Sequence, residues 1–296
     1  MRRSVYIALL LALAHCARAD VVAMTWNIKW FPSGMADLRA EEKEEAATVA
    51  KAARIIADSY ADQCRKSPAD VILFAQELRD APTCSNLVAK TGIKGLRLSA
   101  ISNYKDNGGV PLWQQTAIMS TLPVVDSGYA IWSTDDGVSI PRGFTYAVLN
   151  GGADGTIACF SVHLKSNMAG KGDVREVQKN LYKREAAAGQ ILAFVDTLRT
   201  RYGSDLRVLV AGDFNTNEDN PMFVSEATLR SFYGAHFRSC FRDMHRSQCV
   251  THPGDGKYPP ATFDYILYLG FEHIVGRRIY DGTSVSDHNP VAIRLR

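Results

Sequence analysis

The chain has 296 residues, 46% of them hydrophobic and 22% charged, a globular composition that excludes disordered, collagen-like and low-complexity classes. A formal charge of +3 tolerates a polyanionic partner but falls far short of the basic balance of a dedicated nucleic-acid binder. Beyond residue 20 no apolar run is long enough to cross a bilayer, so stable membrane insertion is not expected.

Arg2 and Arg3 precede an apolar run from Val5 to Ala14, and Ala17-Arg18-Ala19 follows as a small-x-small cleavage site. That order predicts a signal peptide over residues 1–19 and export to the periplasm or beyond. Residues 20–296 are then expected to form one domain, since sheet-rich domains of roughly 250 residues are ordinary. Six cysteines include Cys16 in the leader. In an exported chain, Cys64/Cys84 and Cys240/Cys249 are the pairs expected to bridge, and Cys159, in an apolar run, is expected to stay a buried thiol.

Alternation from Val21 to Asn27 predicts a half-buried strand. Residues 36–66 carry Val49, Ala53, Ile56 and Tyr60 at helical spacing and end before Pro68, so an amphipathic helix is expected. Val71 to Ala75 reads as a strand buried on both faces, with Gln76 and Glu77 at its end. Further strands are expected at Thr116–Ser120, Thr145–Asn150, Ile157–Val162, Val208–Ala211, Phe263–Leu269 and Val291–Leu295, with a long helix over 174–202 and a cysteine-containing loop region over 230–260. No internal repeat is visible in the sequence. Alternating strands and helices predict a layered α/β fold around a mixed sheet.

Polar residues able to bind metal or move protons recur just past the apolar strand cores: Asn27, Glu77, His163, Asp213 with Asn215, Asp264, and Asp287 with His288. Layered folds place their sites at strand ends. Singly, each is as well explained by a turn or a cap; eight in one chain are not. Asp213 and Asn215, two residues apart after a buried strand, can hold a water and a phosphate oxygen together. Glu77 is a typical hard-cation ligand. Asp287 beside His288 combines metal binding with proton transfer, and Asp264 could orient the imidazole.

Thr25-Trp26-Asn27, Gln76-Glu77, Ser161 to Lys165, Gly212 to Asn215, Phe263-Asp264-Tyr265 and Ser286-Asp287-His288 together resemble the ordered motif series of the endonuclease/exonuclease/phosphatase superfamily. The resemblance implies a four-layer α/β-sandwich of two packed mixed sheets flanked by helices, and hydrolysis of phosphoester bonds with Mg²⁺, Mn²⁺ or Ca²⁺. It makes Glu77 the principal metal ligand, with Asn27 and Asp287 near the same cation. Asp213 and Asn215 would serve a second metal position, the attacking water or the phosphate. His163 and His288 resemble the two-histidine version found in deoxyribonuclease I. Arg79 and Arg142 stand where that enzyme places phosphate-binding arginines. One departure is visible: where deoxyribonuclease I pairs its first histidine with a Glu, this chain offers Gln114 or Gln115.

The resulting expectation is in-line attack by water, with His288 or Asp213 as general base and His163 protonating or hydrogen-bonding the leaving oxygen. Arg79, Arg142 and Lys165 suit consecutive phosphates, which favours DNA or RNA as substrate. The rivals are a phospholipid, sphingolipid or small-ester phosphodiesterase, and a catalytically idle binding protein; no protein partner is implied.

Overall fold

In the computed structural model, which describes residues 20–35, 41–133, 141–167, 173–256 and 258–296, the first strand runs beyond its apolar pattern as β1 (Val21–Phe31). The leader and the beginning of the 36–66 helix lie outside the described residues. Alternation in β1 sets the layering. Val22, Met24 and Trp26 pack with Val49, Ala52, Ala53 and Ile56 of α1 (Glu42–Gln63), while Val21 and Ala23 join the core shared with the other sheet. Thr25 and Asn27 continue that inward face as polar residues, so the interior turns hydrophilic at one end of the strand.

The remaining elements, in chain order, are β2 (Asp70–Leu78), α2 (Ala81–Thr91), β3 (Arg97–Ile101), β4 (Gln115–Ser120), β5 (Val124–Ile131), β6 (Gly143–Asn150), β7 (Thr156–His163), α3 (Val174–Tyr202), β8 (Arg207–Asp213), α4 (Thr228–Gly234), β9 (Arg238–Ser239), β10 (Asp264–Leu269), β11 (Ile274–Ile279) and β12 (Val291–Leu295). They form two six-stranded sheets, ordered β11-β12-β1-β2-β4-β3 and β5-β6-β7-β8-β10-β9. The expected four-layer α/β-sandwich is therefore the architecture found. Each sheet has one parallel pair, β1/β2 and β7/β8, and antiparallel neighbours elsewhere. The parallel pairs are bridged by the long helices α1 and α3, as parallel strands require a crossover.

The two sheets thus repeat one plan, although their sequences show no repeat. In each, the second strand of the parallel pair is followed by an antiparallel hairpin, and the first is flanked by another. The consequence is functional. The C-terminal ends of both parallel pairs open at the same end of the sandwich, where β1/β2 deliver Asn27 and Glu77 and β7/β8 place His163 opposite Asp213. Hydrogen bonds from Gln76 Nε2 to Ser161 Oγ (3.1 Å) and between Thr116 and Thr145 hydroxyls (2.7 Å) tie the sheets together beneath that end. Such fully partnered buried groups fix how the layers meet.

Among the described residues the expected disulfides are not formed: Cys64, Cys84, Cys240 and Cys249 are free, as is the buried Cys159. Cys84 packs within α2 against the core. Cys240 Sγ accepts the Ile266 N–H at 3.3 Å, and Cys249 Sγ contacts the His245 carbonyl oxygen at 3.4 Å. The 230–260 region, expected as loop, contains α4 and β9.

Candidate active site

At the open end of the sandwich the polar strand tips meet in a buried cluster. Asn27 donates its amide nitrogen to Glu77 Oε1 (3.1 Å) and Asp213 Oδ2 (3.0 Å), joining residues from both sheets. Its carbonyl oxygen accepts the Lys29 N–H. Glu77 adopts a left-handed φ of 61°, a conformation costly outside glycine and seen where a site over-determines the backbone. The Trp30 N–H holds its Oε2 at 3.0 Å. At Gly212 a Cβ would collide with the Val162 carbonyl, so only glycine lets β8 approach β7 closely enough to set Asp213 beside His163.

The two histidines differ in their supports. His288 Nδ1 lies 2.7 Å from Asp264 Oδ2, and its Nε2 faces Asp213 Oδ2 at 3.9 Å. Its backbone is pinned to the first strand: Trp26 Nε1 donates to the His288 carbonyl (2.8 Å), and Ser286 Oγ bonds the Asn27 carbonyl (2.7 Å). Burial disfavours the imidazolium, but the Asp264 and Asp213 charges outweigh it and push His288 up to about 10. Burial likewise pushes the Asp213 carboxyl up to about 7, against the opposing pull of the His288 charge and the Asn27 hydrogen bond. His163 Nε2 lies 3.8 Å from Glu77 Oε1 and 3.6 Å from Asp213 Oδ2. Its Nδ1 is buried without a hydrogen-bond partner among the described residues. Burial, then the charge of Arg142, drives His163 well below its ordinary value, so it is neutral.

Neither glutamine orients His163. Gln114 Oε1 accepts Arg142 Nη1 at 2.6 Å, and Gln115 is buried among Ser102, Tyr104 and Leu112. Arg142, with φ 69°, also donates to the Leu164 carbonyl (3.2 Å). That position puts its charge within reach of Glu77, Asp213 and His163. Lys165 stands near it, its ammonium disfavoured first by burial and then by the Lys183 and Arg142 charges. Arg79 is placed otherwise. Its Nη1 binds both Glu45 oxygens, at 2.7 and 2.9 Å, so it ties β2 to α1.

Of the expected metal ligands, Glu77 and Asp213 converge, with Asn27 between them. Asn215 turns its backbone N–H to Asp213 Oδ1 (2.9 Å) and its side chain to the Leu164 carbonyl (3.2 Å). Asp287 pairs with Lys29 at 2.9 Å. Among the described residues, ligand atoms of Asp213, Asp264 and His288 lie within 4.8 Å of one another, but Asp264 and His288 already engage each other. The hard oxygens of Glu77 and Asp213, buried side by side, are the donor set that fits a divalent cation.

Three features escaped sequence reasoning: Lys29 on Asp287, His252 with its ring 5.1 Å from that of His288, and the buried Arg184–Glu226 pair, whose guanidinium also holds the Lys165 carbonyl at 3.0 Å. Lys29 follows the first motif by two residues and was a visible signal; His252 follows no strand, and Arg184 lies mid-helix.

The family model described as "Endonuclease/Exonuclease/phosphatase family" matches residues 24–288, from the first motif through the last. The chain belongs to the endonuclease/exonuclease/phosphatase family. Family members are usually hydrolases of phosphoester bonds and generally use divalent metal ions. No curated protein matches the chain significantly. Solved structures do. A family protein from Bacteroides thetaiotaomicron is similar at 13% identity and a TM-score of 0.63, over 94% of this chain and 97% of its own. One from Beutenbergia cavernae has 16% identity and a TM-score of 0.61, over 94% and 72%. Truncated TDP2 from Caenorhabditis elegans has 14% identity and a TM-score of 0.59, over 93% and 97%. At these identities the likeness is one of fold.

Proposed function

We propose that this chain is an exported, divalent-metal-dependent phosphodiesterase that cleaves DNA or RNA. The observation that carries the reading is the Asp264–His288–Asp213 array set beside Glu77 and Asn27 at one end of the sandwich. Glu77, with Asn27 and Asp213 beside it, is where Mg²⁺ or Mn²⁺ would be held, and the ion would supply neutralisation of charge on the phosphoryl oxygens. Water attacks phosphorus as the ester P–O bond breaks, and Asp213, whose carboxyl burial makes more basic than usual, accepts the water proton. His288 enters as an imidazolium fixed by Asp264 and donates Nε2–H toward the charge that develops on the phosphoryl group. His163 enters neutral, so it contributes a hydrogen bond to the leaving oxygen rather than an imidazolium proton, and that oxygen takes its proton from solvent water. Arg142 supplies positive charge beside Glu77 and Asp213, where the cleaved phosphate would lie, and Lys165 supplies it for a neighbouring phosphate.

A plasmid-nicking assay with Mg²⁺ or Mn²⁺, run beside sphingomyelin and a nucleotide ester, tests the substrate. Nicking that EDTA abolishes is the expected result. Turnover confined to sphingomyelin or to the ester would replace the nucleic-acid reading, and no turnover of any substrate would favour the idle binding protein.

A further inference from the structure

A second cluster of cationic side chains lies away from the strand tips just described. A cavity of about 570 Å³ opens between β9–β10 of one sheet and β11 of the other, lined by Arg238, Arg242, Arg277, His273 and Tyr268, with Asp243 as its acidic lining residue. Tyr268 stands four strand residues past Asp264 along β10, roughly 13 Å at the rise of a β-strand. The cavity is thus at the far end of β10 from the candidate active site.

The arginines are arranged rather than scattered. Arg277 Nη1 donates to the Cys240 carbonyl (3.0 Å) and the Arg242 carbonyl (2.6 Å), which fixes one guanidinium in the wall. Arg238 Nη1 donates to the Glu272 carbonyl at 3.2 Å, fixing a second. Burial raises the Tyr268 hydroxyl, and the charges of Arg238 and Arg242 pull against it. Ile274 and Val275 provide an apolar wall, with Val275 41% exposed. Three arginines line one space; their like charges repel one another, and an anion placed among them relieves that repulsion. Guanidinium forks match phosphate oxygens best of the common anions. The volume lies in the range of small-molecule sites, beyond what one inorganic phosphate fills.

We infer that this cavity is a second, non-catalytic binding site for a phosphorylated ligand of nucleotide size, its phosphate held by Arg238, Arg242 and Arg277 and its organic part against Ile274 and Val275. The phosphate can come from a free mononucleotide or from the backbone of a strand lying along this face.

The test is titration calorimetry of the full chain in EDTA, so that turnover does not intervene, with AMP, inorganic phosphate and a short single-stranded oligonucleotide as probes. Two variants accompany the wild type: Arg238→Ala/Arg242→Ala, which removes exposed charges, and Val275→Glu, which puts a carboxylate in the cavity and leaves the arginines in place. Both are expected to weaken binding at least about tenfold, the scale of losing one or more charge-assisted bonds. Both should keep wild-type turnover of a small chromogenic diester. AMP bound more tightly than inorganic phosphate, and lost in the variants, establishes the free nucleotide as source; oligonucleotide binding alone, lost in the variants, establishes the strand. Absence of binding to wild type, or binding that neither variant weakens, overturns the inference.

Discussion

His288 is held through Nδ1 by Asp264 Oδ2 at 2.7 Å, whereas Nδ1 of His163 is buried with no hydrogen-bond partner among the described residues. The two imidazoles therefore cannot serve the same chemistry. Asp264→Asn, which keeps the shape and removes the charge, is expected to lower kcat about 10²- to 10⁴-fold with little change in KM. His163→Asn, which retains a hydrogen-bonding group, should cost about tenfold or less. Steady-state kinetics of the two variants decide it, and equal losses would contradict the asymmetry.

The arginines also part company. Arg142→Ala is expected to lower kcat about 10- to 10³-fold, since its charge lies within reach of Glu77 and Asp213. Arg79→Ala breaks the bidentate contact with Glu45 and is expected to cost roughly 1–2 kcal/mol of stability while the surviving folded enzyme keeps near-normal turnover. Urea unfolding of Arg79→Ala, Glu45→Ala and the double variant reads the coupling between them; an Arg79→Ala protein of full stability but poor activity would support the phosphate-binding role instead.

Asp20 predicts a pH signature remote from the site. Its carboxylate meets Arg294 Nε at 2.7 Å and Arg296 Nε at 2.8 Å, closing β12 against the start of β1. Burial alone would raise its pKa, but the hydrogen bonds and charges of Arg296 and Arg294 outweigh it and hold it below the usual carboxylate value. A group depressed in the folded state stabilises above its unfolded pKa of about 3.9 and loses that contribution as pH falls through the folded value. Asp20→Asn is thus expected to be less stable at pH 7 by about 1–3 kcal/mol and to lose less on acidification below about pH 4. Parallel acid-unfolding curves for the two proteins would refute the assignment.

Arg184 and Glu226 form an ion pair with both side chains 1% exposed. Removing one partner leaves a buried charge, so Glu226→Gln is expected to destabilise by about 3–5 kcal/mol. Because Arg184 also holds the Lys165 carbonyl, KM for an oligonucleotide should rise in any variant that still folds, and thermal melting with kinetics separates the two effects.

Much of the framework was legible because its strands are buried. The helix over 174–202 and the strand Val291–Leu295 occur as read, since both carry unbroken periodic patterns. The elements that sequence missed lie mostly at edges. In β5 exposed and half-buried positions alternate without a buried face, and β11 is interrupted by Gly276 and two arginines. Helix α2 is polar in sequence and is set by its ends, with Asp80 accepting the Thr83 N–H at its start and Gly92 in a left-handed conformation after its close. At the site, residue types were visible at strand ends, but partners were not. Nothing local announces that Glu45 takes Arg79, that Gln114 takes Arg142 or that Lys29 takes Asp287, because each pairing depends on where another element passes.

The central claim is that Glu77, Asp213 and the His288–Asp264 pair form one metal-dependent phosphodiesterase site. Its most direct test is hydrolysis of a chromogenic phosphodiester by the wild type, Glu77→Ala and His288→Ala, each with Mn²⁺ and with EDTA. Turnover by the wild type in Mn²⁺ alone, with losses of at least about 10²-fold in both variants, is the predicted result. Activity that survives EDTA, or that survives either substitution undiminished, would contradict it.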